Sequence, residues 1–107
     1  DLTSGTRNTA VGSGAFDVLT TGSQNVAIGR NAGGSLTTGD DSVFLGERAG
    51  SSTTTASDNT GVGQASLLSN TTGAYNTALG SGTLQSNTTA DNNTAVGYNS
   101  LTSNTRC

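Results

Sequence analysis

The chain of 107 residues contains no histidine, no lysine and a single cysteine, and only 10% of its residues are charged. The lack of histidine excludes catalytic triads with a histidine base and metal sites built from imidazole ligands. Four arginines against seven acidic residues give a net charge of −3, which is unsuited to a phosphate backbone. We therefore expect neither a nucleic-acid partner nor an enzyme, and no cofactor.

Apolar residues are also scarce. They make up 30% of the chain, and the aromatic residues are two phenylalanines and two tyrosines, so a conventional globular core is not expected. No segment reaches the roughly 18 to 20 apolar residues of a membrane span, and we expect no basic and apolar leader. We expect no membrane insertion. Low hydrophobicity with abundant Ser, Thr, Asn and Gly also fits a disordered chain.

The only cysteine, Cys107, is the last residue. It cannot form an internal disulfide, so it is a free thiol, an intermolecular bridge or an arbitrary end of a fragment. The chain begins at Asp1, without methionine and in the middle of a repeat. We expect it to be a processed product or a part of a longer protein.

What the sequence does contain is a repeat of constant length. Residues 25–29 read Asn-Val-Ala-Ile-Gly, and close variants begin at positions 8, 42, 59, 76 and 93, always 17 residues apart. A fixed period is typical of repeat architectures, and a disordered chain has no physical reason to keep its aliphatic residues in register. We number the places of the unit from its first residue, so that Asn25 holds the first place.

The repeat accounts for residues 1–107 as a single domain without a linker. Residues 1–7 form a partial coil. Coil 1 spans 8–24, coil 2 spans 25–41, coil 3 spans 42–58, coil 4 spans 59–75, coil 5 spans 76–92 and coil 6 starts at 93.

The first five places of each unit predict a short strand followed by a corner. Side chains of a strand alternate, so the second and fourth places share one face and the third place lies on the other. We expect the aliphatic fourth place to form the inner ladder of the core: Val11, Ile28, Leu45, Val62, Leu79 and Val96. The fifth place is always a glycine, which we expect to form the turn: Gly12, Gly29, Gly46, Gly63, Gly80 and Gly97.

A second short apolar element, such as residues 15–16 or 66–67, follows the corner in four coils and leads to a Thr-Thr-Gly segment, whereas coils 2 and 3 have Ala-Gly-Gly (residues 32–34) and Ala-Gly-Ser (residues 49–51) there. Glycine after the threonines, as at Gly22, suits a turn with positive φ. The unit thus predicts an all-β solenoid, or β-roll, of about six coils with two short strands per coil, stacked about 4.8 Å apart. The thirteenth place forms a threonine ladder: Thr20, Thr37, Thr54, Thr71 and Thr88.

One such coil is too small to be stable alone. It buries two or three aliphatic side chains worth about 1.5–3 kcal/mol each, whereas ordering the backbone costs about 1–2 kcal/mol per residue. Neighbouring coils and neighbouring chains must contribute. We predict a homo-oligomer that buries the small side chains of the third place: Ala10, Ala27, Gly61, Ala78 and Ala95.

Two families contain similar repeats. Residues 25–29 resemble the Asn-Ser-Val-Ala-Ile-Gly repeat of trimeric autotransporter adhesin heads, although that repeat is usually shorter than 17 residues. The full unit, as in residues 76–89, resembles the repeats of phage tail-fibre-like proteins. The resemblance covers the whole chain. It implies a homotrimeric, non-catalytic fibre of a virion or bacterial cell surface, which projects toward a host-surface glycan or protein.

Three polar features suggest more specific roles. Asp41 and Asp58 hold the same place in adjacent coils, with Asp40 beside them, and their oxygens suit a calcium ion; solvated turn aspartates are the alternative. Arg30 and Glu47 also share one place, as an ion pair between coils would. The first place predicts an asparagine ladder that bonds along the rod: Asn8, Asn25, Asn59, Asn76 and Asn93.

Other functions compete with an attachment fibre. The chain is also suited to a self-assembling extracellular filament. The paired threonines suggest ice binding, but adjacent threonines point to opposite faces, whereas an ice-binding plane needs threonine at alternate places. A sugar-processing β-helix enzyme requires paired acids, and none recur here.

Overall fold

The computed structural model, which describes residues 4–106, is an all-β solenoid with one parallel sheet. The strands are β1 (Thr9–Val11), β2 (Val26–Ile28), β3 (Val43–Leu45), β4 (Thr60–Val62), β5 (Thr77–Leu79) and β6 (Thr94–Val96). They pair in chain order, and each residue pairs with the one 17 positions later, as Ala10 does with Ala27. The predicted β-solenoid with 17-residue coils is therefore confirmed. The expectations for residues 1–3 and Cys107 lie outside the described residues.

Each coil contains one strand, so the prediction of two strands per coil was wrong. The segment after the strand is a succession of tight turns: the Ala32 N–H donates to the Gly29 carbonyl at 3.2 Å, and the Leu36 N–H donates to the Gly33 carbonyl at 3.0 Å. The ninth place has positive φ, as at Phe16 (50°) and Leu67 (52°). An extended strand cannot pass through left-handed residues.

Hydrogen bonds between coils nevertheless continue through this turn segment. The Phe16 N–H donates to the Ala32 carbonyl at 3.2 Å, and the Thr20 N–H donates to the Thr37 carbonyl at 3.0 Å. Neighbouring coils are thus held together on several sides of the rod and not by the sheet alone. This keeps equivalent residues stacked in straight columns.

The core lies on the opposite side of the strand from the predicted one. Ala27, Phe44 and Ala78, at the third place, are completely buried, whereas Val11 is 56% and Val96 66% exposed. The third place therefore faces inward, and the predicted outward stripe of small residues is core except for Ala10, which is exposed in the first strand. The predicted inner ladder faces outward: Val11, Ile28, Leu45, Val62, Leu79 and Val96.

The reason is the narrow space between the strand and the turn segment. Alternation fixes which places share a face, but not which face is inside. Buried side chains of the turn segment, such as Ala32, Leu36 and Leu84, fill the interior. Alanine or glycine is what fits opposite them, so the larger aliphatic residues point to solvent.

Phe44 is the one large residue at the third place, and glycines make room for it. A Cβ atom on Gly33 would lie 3.0 Å from Phe44 Cδ2, and a Cβ on Gly50 would overlap the Phe44 ring. In coils 4 and 5 the ninth place holds a buried leucine, Leu67 or Leu84, instead. In coil 3 the large side chain is thus at the third place and the ninth is glycine, whereas in coils 4 and 5 the large side chain is at the ninth place and the third is small.

The glycines after each strand form the corner, as predicted. Gly46 has a φ of 131°, and a Cβ atom on it would lie 2.7 Å from the Gly63 carbonyl carbon. Backbone conformation and close approach both require glycine here. The same positive φ holds across the six coils: Gly12, Gly29, Gly46, Gly63, Gly80 and Gly97.

The glycines after the paired threonines have a different role from the predicted one. Gly22, Gly39 and Gly73 do not have positive φ; that conformation falls two places later, as at Asp41 (54°) and Tyr75 (58°). A Cβ on Gly39 would lie 2.8 Å from Leu36 Cδ1. These glycines provide space rather than backbone freedom.

Candidate functional site

The outward side of the sheet is the main candidate for a functional surface. We call the outward side chains of the second and fourth places the sheet face. Only threonine, valine, isoleucine and leucine occur in it, and no charge interrupts it. Its members are Thr9, Val11, Val26, Ile28, Val43, Leu45, Thr60, Val62, Thr77, Leu79, Thr94 and Val96.

Strand pairing makes the sheet face a regular array. Because Val26 pairs with Val43 and Ile28 pairs with Leu45, residues of the same place lie side by side in columns. Rows repeat at about 4.8 Å along the rod, and the two columns lie about 6.6 Å apart. Six strands give an array about 24 Å long.

The sheet face is open to solvent. Ile28 and Leu79 are each 38% exposed, and the end residues Val11 and Val96 are more so. Contiguous exposed apolar surface with a polar border is typical of interaction sites. Nothing else in the described chain exposes aliphatic side chains in so regular an arrangement.

Polar side chains border the sheet face on both long sides. The sixth place provides Arg30 and Glu47, and the seventeenth place provides Asp41 and Asp58. The Arg30 Nη2 and Glu47 Oε1 atoms are 2.5 Å apart, which confirms the predicted pair between coils. Both side chains are about half exposed, so the pair contributes less than about 1 kcal/mol. An apolar centre with a polar rim is the usual anatomy of a protein interface.

The asparagine ladder supports one edge of the sheet. The Asn25 side chain donates from Nδ2 to the Gly39 carbonyl at 2.8 Å, and its Oδ1 accepts the Ser42 N–H at 2.9 Å. Coil 3 has Ser42 at the first place instead of asparagine. It retains the second of these bonds, since its Oγ accepts the Asn59 N–H at 3.2 Å. The prediction that stacked amides bond along the rod and satisfy the turn backbone is confirmed.

The threonine ladder also has a structural role. The Thr37 Oγ1 donates to the Thr54 carbonyl at 3.0 Å, and the Thr37 N–H donates to the same oxygen at 2.8 Å. Equivalent hydroxyl bonds start at Thr20, Thr54 and Thr71. These hydroxyls point along the rod, and each already donates a hydrogen bond to the next coil. The fourteenth place carries exposed threonines: Thr21, Thr38, Thr55, Thr72 and Thr89.

The predicted calcium ligands do not form a metal group. The Asp40 Oδ1 accepts the Ser23 N–H at 2.7 Å and so serves the turn of the preceding coil. Asp41 and Asp58 are exposed. Between residues 4 and 106, no three acidic or cysteine side chains are arranged to hold a metal ion.

Comparison with known proteins adds no assignment. No family model, curated protein or solved structure matched the chain. The resemblance to fibre and adhesin repeats therefore stays a prediction. In the part of the chain that the structure describes, no helix is long and apolar enough to cross a membrane.

Sequence reasoning found the residues of the sheet face but gave them the wrong role. A signal was present: the third place is alanine or glycine in every coil except coil 3, where Phe44 stands. A place restricted to small residues indicates a crowded interior, because a solvent-facing place has no such limit. The small third place thus predicts that the aliphatic fourth place faces solvent.

Proposed function

We propose that this chain is a structural, non-catalytic segment of an extracellular or virion fibre whose rods associate with each other through the sheet face. The observation that carries the proposal is the uninterrupted array of Thr, Val, Ile and Leu side chains on the outward side of all six strands. A surface of this kind is costly to leave in water.

A second copy of the chain is the partner that fits best. Each copy presents rows at the same spacing of about 4.8 Å, so the rows of two faces remain in step along their whole length. A partner without that period would lose register after a few coils. Burying one Val, Ile or Leu side chain contributes up to about 1.5–3 kcal/mol, and every coil adds another such side chain.

A closed ring of three parallel rods is the assembly that the resemblance favours. Cyclic packing around one axis buries the sheet face of every chain and leaves the turn segments outside. Such a rod would project from a bacterial or virion surface toward a host. A self-assembling filament is the alternative, and electron micrographs of purified particles distinguish it from discrete short rods.

Sedimentation velocity tests the self-association. We expect the chain to sediment as an oligomer at micromolar concentration, and Leu79→Lys, which places a charge in the sheet face, to sediment as a folded monomer. Thr89→Lys, at an exposed site outside the face in the same coil, should remain oligomeric. A folded monomer for the unmodified chain would contradict the proposal, as would an oligomer that tolerates Leu79→Lys.

Ice binding is a second candidate, favoured by one observation. The sheet face presents threonine at the second place of four coils, in the outward column Thr9, Thr60, Thr77 and Thr94, beside the aliphatic column of the fourth place. Thermal hysteresis by the monomeric Leu79→Lys variant or by the unmodified chain would support it. A zero value for both removes it.

A further inference from the structure

A polar groove crosses the turn segments of coils 1 to 3, away from the sheet face. It has a volume of about 390 Å³, at the small end of ligand sites. The polar side chains that line it are Asp17, Asn31, Ser35, Arg48, Ser51 and Ser52.

The groove exists because two side chains are small where the repeat elsewhere has larger ones. At the tenth place, coil 2 has Gly34 and coil 3 has Ser51. Coils 4, 5 and 6 carry Leu68, Gln85 and Thr102 there. The floor of the groove is thus a local departure from the repeat.

The backbone conformation does not require this departure, and the space around Gly34 restricts a larger residue only moderately. Gly34 lacks positive φ, and the atoms nearest to an added Cβ would be the Asn31 and Gly14 carbonyl oxygens at 3.3 and 3.4 Å. Gly33, by contrast, makes room for the Phe16 and Phe44 rings, and Gly50 makes room for the Phe44 ring. The core therefore explains the neighbouring glycines, whereas Gly34 is limited only by these two backbone contacts, which are tighter than most Cβ contacts.

The chemistry of the walls indicates what the groove would hold. Asp17 accepts hydrogen bonds, Arg48 donates them, and the serine hydroxyls and the Asn31 amide do both. Asp17 lies in coil 1 and Arg48 in coil 3, about 10 Å apart along the rod, and the ion pair of the described residues is formed by Arg30 and Glu47 instead. None of these six side chains forms a hydrogen bond or an ion pair with another described residue.

We propose that the groove binds a neutral saccharide of one or two sugar units. Sugar hydroxyls both donate and accept, which matches walls that are rich in hydroxyl and amide groups and poor in apolar surface. The opposite charges of Asp17 and Arg48 balance, so an anionic sugar gains nothing overall. A saccharide would be a ligand of the fibre proposed above. The groove and its ligand are argued from the lining residues, and only their biological role rests on the proposed function.

Amide NMR titrations with lactose, maltose, cellobiose and N-acetylneuraminic acid test the proposal. We expect at least one neutral disaccharide at millimolar concentration to shift the amide signals of Gly34, Ser35, Ser51 and Ser52. Gly34→Gln, which introduces the residue tolerated at the same place in coil 5, should abolish the shifts. Ser86→Gln, in the turn segment of coil 5, is the matched control and should bind normally.

Further variants separate this site from self-association. Asp17→Asn and Arg48→Gln should each weaken binding about tenfold, the effect of losing one hydrogen bond to a charged group. The monomeric Leu79→Lys variant should bind as well as the unmodified chain. Absence of shifts with every neutral sugar, unaltered binding by Gly34→Gln, or shifts with N-acetylneuraminic acid alone would each overturn the proposal.

Discussion

Each corner of the rod depends on a glycine for two independent reasons. Gly46 has a φ of 131°, a region that L side chains rarely adopt, and a Cβ there would press on the backbone of the next coil. Gly34 does not have positive φ, and a Cβ there would lie 3.3 Å from the Asn31 carbonyl oxygen, which is a tight contact but a smaller overlap than at Gly46. Substituting Gly46 and Gly34 in turn therefore separates the cost of the corner geometry from the cost of replacing any glycine.

Gly46→Ala should destabilise the rod by about 2–6 kcal/mol, because backbone strain of about 1–3 kcal/mol adds to an overlap cost of similar size. Gly34→Ala should change the free energy of unfolding by less than about 1 kcal/mol. Urea unfolding followed by circular dichroism measures both. Equal losses for the two variants would show that the corner geometry is not the cause.

Volume exchange between Phe44 and Gly50 provides a second test at the residue scale. Phe44→Ala should cost about 3–5 kcal/mol, as expected for truncating a completely buried ring. Gly50→Leu alone should also destabilise, by about 1–3 kcal/mol through overpacking. The double variant should regain stability, because Gly50 has the same left-handed φ as Leu67 at the equivalent place.

A double-mutant cycle from thermal or urea unfolding quantifies this exchange. We expect a favourable interaction energy of at least about 1 kcal/mol between the two substitutions. Strictly additive losses would mean that the Phe44 ring does not occupy the space above Gly50.

At the scale of the coil, the same hydrogen-bonding groups repeat along the rod. The Thr37 hydroxyl and the Thr37 N–H both donate to the Thr54 carbonyl. The neighbouring Thr38 is exposed. Adjacent threonines in one unit therefore differ in role, although they are indistinguishable by composition.

Thr37→Val should cost about 0.5–1.5 kcal/mol, the net value of one hydrogen bond. Thr38→Val, the matched control, should stay within about 0.5 kcal/mol of the unmodified chain. Chemical denaturation of both variants gives the comparison. A larger loss at Thr38 than at Thr37 would reverse the assignment of the ladder.

The sequence was sufficient for the period, the parallel stacking and the ladders, because these depend only on identical residues returning every 17 positions. It was insufficient for the direction of the strand faces. Alternation relates Ile28 to Val26 and separates both from Ala27, but the side on which the turn segment lies must also be known. The turn segment itself was predicted as a strand, since residues such as Leu67 give no local signal of a left-handed backbone.

At the scale of the molecule, length controls association. A sheet face about 24 Å long and two columns wide is smaller than the roughly 800 Å² per partner of a standard interface. Each further coil adds one row to the face at the same spacing. Association should therefore strengthen steeply with the number of coils.

Duplicating coils 4 and 5, residues 59–92, should lower the dissociation constant by at least about tenfold, since two more rows become buried. Sedimentation equilibrium of the extended and original chains measures the change. The same duplication with lysine at the fourth place of the added coils is the control and should give no gain. Equal affinities for all three chains would exclude the sheet face as the contact.

Thiol accessibility tests most directly whether another copy of the chain covers the sheet face. Ile28→Cys and Thr38→Cys, each combined with Cys107→Ser, place one thiol in coil 2 inside or outside the face. We expect the labelling rate at position 28 to fall as protein concentration rises, while the rate at position 38 stays constant. Equal, concentration-independent labelling at both positions would contradict the account.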